Sequence, residues 1–134
     1  MKLETPRIED PWPREYREYV ALFNAGDYFE AHEVLEDLWA IEVAPLKDFY
    51  KGLIQMAVAI CHWERGNPSG ARRLWVSSRD YLTPYGARYE GIEIGAVLGQ
   101  LGNVFAPLLS GGVECPPAPE RRSIPKLEII SEHG

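Results

Sequence analysis

From about Lys47 to Arg65 the chain carries Leu53, Ile54, Met56, Ala57, Val58, Ile60, Cys61 and Trp63, which surround a helix almost completely at about 100° per residue. A helix apolar on nearly every side has to be the buried centre of its domain, with other helices laid against it. That one segment selects a helical bundle. The 134 residues around it are enough for a single core of this kind.

The flanking segments punctuate themselves. Pro11-Trp12-Pro13 opens a first helix, with Pro13 near the position where a missing N–H costs nothing, and Gly26 stops it after Asn24. Asp27 caps the second helix, and Glu30 three residues on completes a capping box; Val43-Ala44-Pro45 ends it. Gly66 closes the third helix. Asn67-Pro68 starts the fourth, which bears Ala71, Leu74, Trp75, Ser78 and Leu82 before Thr83-Pro84. A weaker fifth helix spans roughly Ile92 to Leu109, loosened by Gly95, Gly99 and Gly102. After Gly111-Gly112 the chain is rich in proline and reads as extended, and Leu127-Glu128-Ile129-Ile130 alternates enough to pack as a strand-like arm. The expected organisation is a helical domain over 1–110 and an extended tail over 111–134.

The two helix pairs echo each other at a spacing of 40 residues: Gly26-Asp27 with Gly66-Asn67, Ala31 with Ala71, Leu35 with Trp75. Repeats of this size mark stacked helical hairpins. Each unit resembles a degenerate tetratricopeptide hairpin, although the period is longer and Tyr19 stands where that repeat has a small residue. Two units are too few for a solenoid, so the fold class expected is all-α, a compact bundle of about five helices on two pseudo-repeated hairpins.

Charge narrows the partners. A net charge of −6 argues against nucleic acid and anionic membranes, and no apolar run is long enough to span a bilayer. Met1-Lys2-Leu3-Glu4-Thr5-Pro6 lacks the apolar core of a secretory signal, and Cys61 and Cys115 read as free thiols, so the expected location is the cytoplasm. Residues 27 to 48 are acidic and residues 65 to 88 basic. That asymmetry, with an exposed Trp12 and an extended tail, predicts a homodimer.

One feature resists the bundle pattern. On the second helix Tyr28, Ala31, Leu35, Leu38 and Trp39 form an apolar arc with Phe29 and Ala40 at its edge, and His32 and Glu36 fall inside it, one turn apart. On the third, Asp48, Lys51, Gln55, Ala59 and His62 make one polar stripe. Burying such groups alone costs a few kcal/mol each, so the two stripes should meet, with His32, Glu36, Gln55 and His62 in contact and Trp39 and Trp63 as walls. Two readings follow. One is a buried hydrogen-bond network that sets helix register inside a binding or interaction module. The other is an enzyme or ligand site in a semi-buried cleft, where His32, Glu36 and His62 could form a two-histidine, one-carboxylate metal centre. No cofactor is called for otherwise: Glu-x-x-His and His-Glu-x-x-His are absent, as is a glycine-rich phosphate loop. Ser77, Ser78 and Cys61 lack an activating base at a useful spacing.

The run from Asn24 through Gly26-Asp27-Tyr28-Phe29-Glu30-Ala31-His32-Glu33-Val34-Leu35-Glu36, with Trp39 after it, resembles a family of short bacterial proteins, domain of unknown function 309. Gly52-Leu53-Ile54-Gln55, Ala57, His62, Arg65-Gly66-Asn67 and Gly70-Ala71 extend the likeness, which spans Phe23 to Leu82. The resemblance implies an all-α fold of paired hairpins and no particular activity. Its motif positions fall here on His32, Glu33, Glu36, Trp39, Gln55 and His62, with Lys51 and Arg65 close by.

Overall fold

A computed structural model describes residues 12–110 and 116–130. Five α-helices follow in order, α1 (Arg14–Asn24), α2 (Tyr28–Ile41), α3 (Leu46–Glu64), α4 (Pro68–Leu82) and α5 (Ile94–Leu109). Single turns of 3-10 helix occur at Thr83–Tyr85 and Arg121–Ser123, and no strand is present among the described residues. The chain is all-α. The N-terminal stretch through Pro11, the Gly111-Gly112 break and Cys115 lie outside the described residues.

The longest helix, α3 at 19 residues, takes the central position its composition demands. α2 and α4 both pack along it, α1 lies on α2, and α5 rests on α4. Phe49, Tyr50, Leu53, Met56, Ala57, Ile60 and Trp63 of α3 are all buried. Tyr19 shows why α1 carries no small residue there: the ring is fully buried and its hydroxyl donates to the Leu53 carbonyl of α3 at 2.6 Å. At the α3–α4 contact, Ser78 donates to the Gly52 carbonyl at 2.8 Å, and a side chain on Gly52 would strike Leu82.

The two turns spaced by 40 residues share one geometry. Gly26 (φ 86°) and Gly66 (φ 81°) both take the left-handed conformation. Gly26 N–H bonds to Phe23 O and Asp27 N–H to Leu22 O at 3.0 and 2.9 Å; Gly66 to Trp63 and Asn67 to His62 repeat the pattern at 3.0 and 2.8 Å. Each is a Schellman ending, the reason glycine stands at both places. The first helices of the two pairs differ in length, since α1 has 11 residues and α3 has 19. The caps also differ. Asn67 Oδ1 accepts from Gly70 N at 3.1 Å, whereas Asp27 sits at the cap position without a side-chain bond, so the expected capping box does not form. Asp27 lies instead in the field of Arg121.

α5 begins two residues later than its apolar pattern suggests. Tyr89 and Ile92 exchange backbone bonds of 3.0 Å around Glu90 and Gly91, both at positive φ, and that tight turn holds Ile92 out of the helix. The arm at 127–130 packs without becoming a strand. The Asn24 amide donates to Leu127 O at 2.8 Å and accepts from Leu127 N at 2.7 Å, doing what a neighbouring strand's backbone would do. Ile124 and Leu127 are thereby buried in the core. Trp12, expected to be exposed, is half-buried against the same core. Nor does any ion pair join acidic α2 to basic α4 among the described residues; Arg79 pairs with Asp80, and Arg88 with Glu93.

Candidate ligand cleft

The two polar stripes do approach each other, but at the surface. His32, Glu36 and Trp39 of α2, Lys51, Ile54, Gln55 and Val58 of α3, and Leu74 of α4 line one open cleft of about 320 Å³. Its floor is the polar edge of α3; α2 and α4 are the walls. Three of the four residues expected in the cluster are therefore present, with Trp39 and Lys51 beside them.

Each side chain is held by a local cause. The His32 ring packs edge-on against Phe29, centroids 4.8 Å apart, and its Nδ1 bonds to the Phe29 carbonyl. A carbonyl only accepts, so Nδ1 carries a proton, and in the neutral ring Nε2 is the acceptor. The Trp39 ring takes the Lys47 ammonium at 4.1 Å, and Lys47 also donates to the Trp39 carbonyl at 2.7 Å. Lys51 Nζ lies 5.9 Å from the Trp39 ring and 5.4 Å from the Tyr81 ring, and it forms no ion pair with another described residue. Among the described residues it is a half-buried cation set against aromatic faces. Trp39 Nε1 and Gln55 Oε1 are buried and have no hydrogen-bond partner. One is a donor and the other an acceptor.

His32, Glu36, Gln55 and His62 are not joined in a closed network. Glu36 is exposed, His32 and Gln55 are half-buried, and no hydrogen bond links His32, Glu36, Gln55 and His62 to one another. The cause is Phe29. Counted as the far edge of the buried arc, it is 41% exposed, so the arc ends near Trp39 and His32 lies on its flank. His62 leaves the cluster altogether. Because Asn67 Oδ1 is committed to the α4 cap, its Nδ2 donates to His62 Nδ1 at 3.0 Å and holds the ring against the α3–α4 turn. The triad of His32, Glu36 and His62 is thus not assembled, and no three His, Cys, Asp or Glu side chains among the described residues are placed to share a metal ion.

The supporting residues divide in the same way. Glu33 is exposed and does not line the cleft. Arg65 lies over the Phe29 ring at 4.9 Å, in a different hollow shared with Cys61 and Arg121. Trp63 is buried beside Phe105 and donates to Pro116 O at 3.0 Å, so it walls nothing. Burial pushes the Cys61 thiol up, with Arg65 opposing, which leaves it a poor nucleophile. Lys47 and Tyr81 were missed by the sequence reading. The Lys47/Lys51 spacing of one helical turn was the available signal, since it sets both ammonium groups on the face that meets Trp39.

A model of the family described as "Domain of unknown function (DUF309)" matches residues 16–74, which include every residue that lines the cleft. An uncharacterized protein of Bacillus subtilis (strain 168), YpuF, is 37% identical over 99 residues, covering 70% of this chain and 56% of that protein. An uncharacterized protein of Aquifex aeolicus (strain VF5) is 29% identical over 84 residues, 62% of this chain and 25% of that protein. The chain thus spans about half the length of the first relative and a quarter of the second. Over residues 16–74, the segment carrying most of α1, all of α2 and α3 and the start of α4, the chain matches the model of the DUF309 family.

Proposed function

We propose that the protein is a helical binding module whose cleft between α2, α3 and α4 takes a small polar ligand. The observation that carries this reading is a pair of buried, unpartnered groups on residues that line the cleft, Trp39 Nε1–H and Gln55 Oε1. An orphaned buried polar atom costs about 1–3 kcal/mol, and a ligand with one acceptor and one donor would remove that cost at both places. Trp75 Nε1 is also unpartnered, but it is stacked on Phe105 in the core and does not line the cleft. Nε2 of His32 adds a second polar atom, and Lys51, which forms no ion pair with a described residue, adds a positive charge. Ile54, Val58 and Leu74 supply the apolar contact that small-molecule sites combine with a few placed polar groups. The test is to incubate wild type, Gln55→Leu and Lys51→Met proteins with a small-molecule extract, wash, and analyse what is retained by mass spectrometry. One compound held by wild type and lost from both variants is expected. Identical profiles for the three proteins would refute the reading.

A further inference from the structure

A second hollow of different chemistry lies where α3 begins and α4 ends. Asp48, Asp80, Tyr81, Tyr85 and Tyr89 line an open cleft of about 510 Å³, within the range of small-molecule sites. The Tyr85 and Tyr89 rings stand 4.6 Å apart at 50°, and both rest on buried Phe49, at 5.2 and 4.8 Å. Their mutual angle is thus fixed from below. Tyr81 already takes Lys51 at 5.4 Å, which leaves Tyr85 and Tyr89 as the rings open to another cation.

The charged residues that line the hollow, Asp48 and Asp80, are both acids, with Lys51 over the Tyr81 ring and Arg79 beside Asp80. Asp48 is exposed and forms no ion pair with a described residue, while Asp80 meets Arg79 only at 3.7 Å across a solvated contact. Asp80 and Tyr81 also belong to the last turn of α4, the negative end of the helix dipole. The Tyr85 hydroxyl registers that potential: burial first, and the Asp48 charge second, push it above its ordinary value. It stays a neutral phenol, whose electron-rich ring face is what attracts a cation.

We infer that this hollow binds a small free alkylammonium cation, set against the Tyr85 and Tyr89 rings with Asp48 as counter-charge. Aromatic faces provide an attraction that a weakly hydrated ammonium can use, and the carboxylate selects it over a neutral molecule of the same shape. The site is separate from the cleft of the proposed function and stands without it.

Choline and its neutral isostere 3,3-dimethylbutan-1-ol are the probes, titrated into the ¹⁵N-labelled full chain by NMR. Choline should give saturable shifts at the Tyr85 and Tyr89 amides and leave the Trp39 indole unmoved; the neutral isostere should give none that saturate. Asp48→Asn, an exposed change that leaves the core intact, should weaken choline severalfold, and Tyr89→Leu should abolish the shifts. If Tyr89→Leu fails to fold, Asp48→Asn decides alone. The inference is overturned by no saturable shift up to about 50 mM choline, by equal binding of the neutral isostere, by an unaffected Asp48→Asn variant, or by shifts centred on Trp39.

Discussion

Replacing Gly52 with alanine sets two effects of opposite sign against each other. Alanine is the better helix former by about 1 kcal/mol, because glycine loses more backbone entropy on folding. Against that, a Cβ at position 52 would lie 2.5 Å from Leu82 Cγ, 2.6 Å from Leu82 Cδ2 and 3.2 Å from Tyr81 Cβ. Leu82 is fully buried and cannot swing aside, so α3 and α4 must part by several tenths of an ångström. Overpacking of this kind costs about 1–3 kcal/mol. Parting the helices also stretches the Ser78–Gly52 bond of 2.8 Å, worth about 1 kcal/mol. The net expectation is a loss of about 1–3 kcal/mol in urea denaturation. Gly99→Ala in α5 is the control: nothing lies within 4 Å of its added Cβ, so it should gain about 0.5–1 kcal/mol. A Gly52→Ala protein as stable as wild type would show that close approach of α3 and α4 is not what glycine provides there.

Tyr16 and Tyr19 predict alkaline unfolding. Burial pushes both hydroxyls above their ordinary 10.0, and each donates to a backbone carbonyl, Glu90 O and Leu53 O. A raised folded pKa gives stability that is complete below the unfolded value and is lost as pH climbs above it, by about 1.4 kcal/mol per pH unit for each tyrosine. Tyrosinate absorbance should therefore rise together with loss of helical circular dichroism; two ordinary titrations in a folded protein would contradict this. Asn24→Ala should remove both bonds to Leu127, lower stability by about 1–2 kcal/mol and speed tryptic cleavage at Arg121, Arg122 and Lys126. An unchanged cleavage rate would mean the arm is held by Ile124 and Leu127 alone. Self-association, if carried by Ile41 and Val43, which are 79% and 72% exposed, should appear as a dimer in sedimentation that Ile41→Glu disperses. A monomeric wild type would remove the dimer.

The elements announced by their own residues were legible from the chain. α3 reads as central because its apolar residues go all round, and both hairpin turns read as turns because glycine is followed by a capping type. What escaped depended on contacts distant in sequence. Phe29 faces solvent with the Arg65 guanidinium over its ring, a contact distant in sequence, and His32 and Glu36 accordingly lie at a cleft edge and not in the interior. His62 continues the polar stripe by periodicity, yet Asn67, five residues on, takes it away. Helical spacing defines a face; it does not say where that face meets water. The arm at Leu127 depends on a partner 103 residues earlier, Asn24, which no local pattern reveals.

In the proposed binding module, Gln55 and Trp39 are held for a ligand and not for each other or for the fold. Urea denaturation of ligand-free Gln55→Leu tests this most directly, because leucine keeps most of the volume and removes the orphaned amide. If Gln55 serves a ligand, the variant should match or exceed wild type by up to about 1 kcal/mol, as groups kept for function commonly cost stability. A fall of more than about 1 kcal/mol would mean that the amide has a structural partner, and would return the cleft to the role of a helix-packing network.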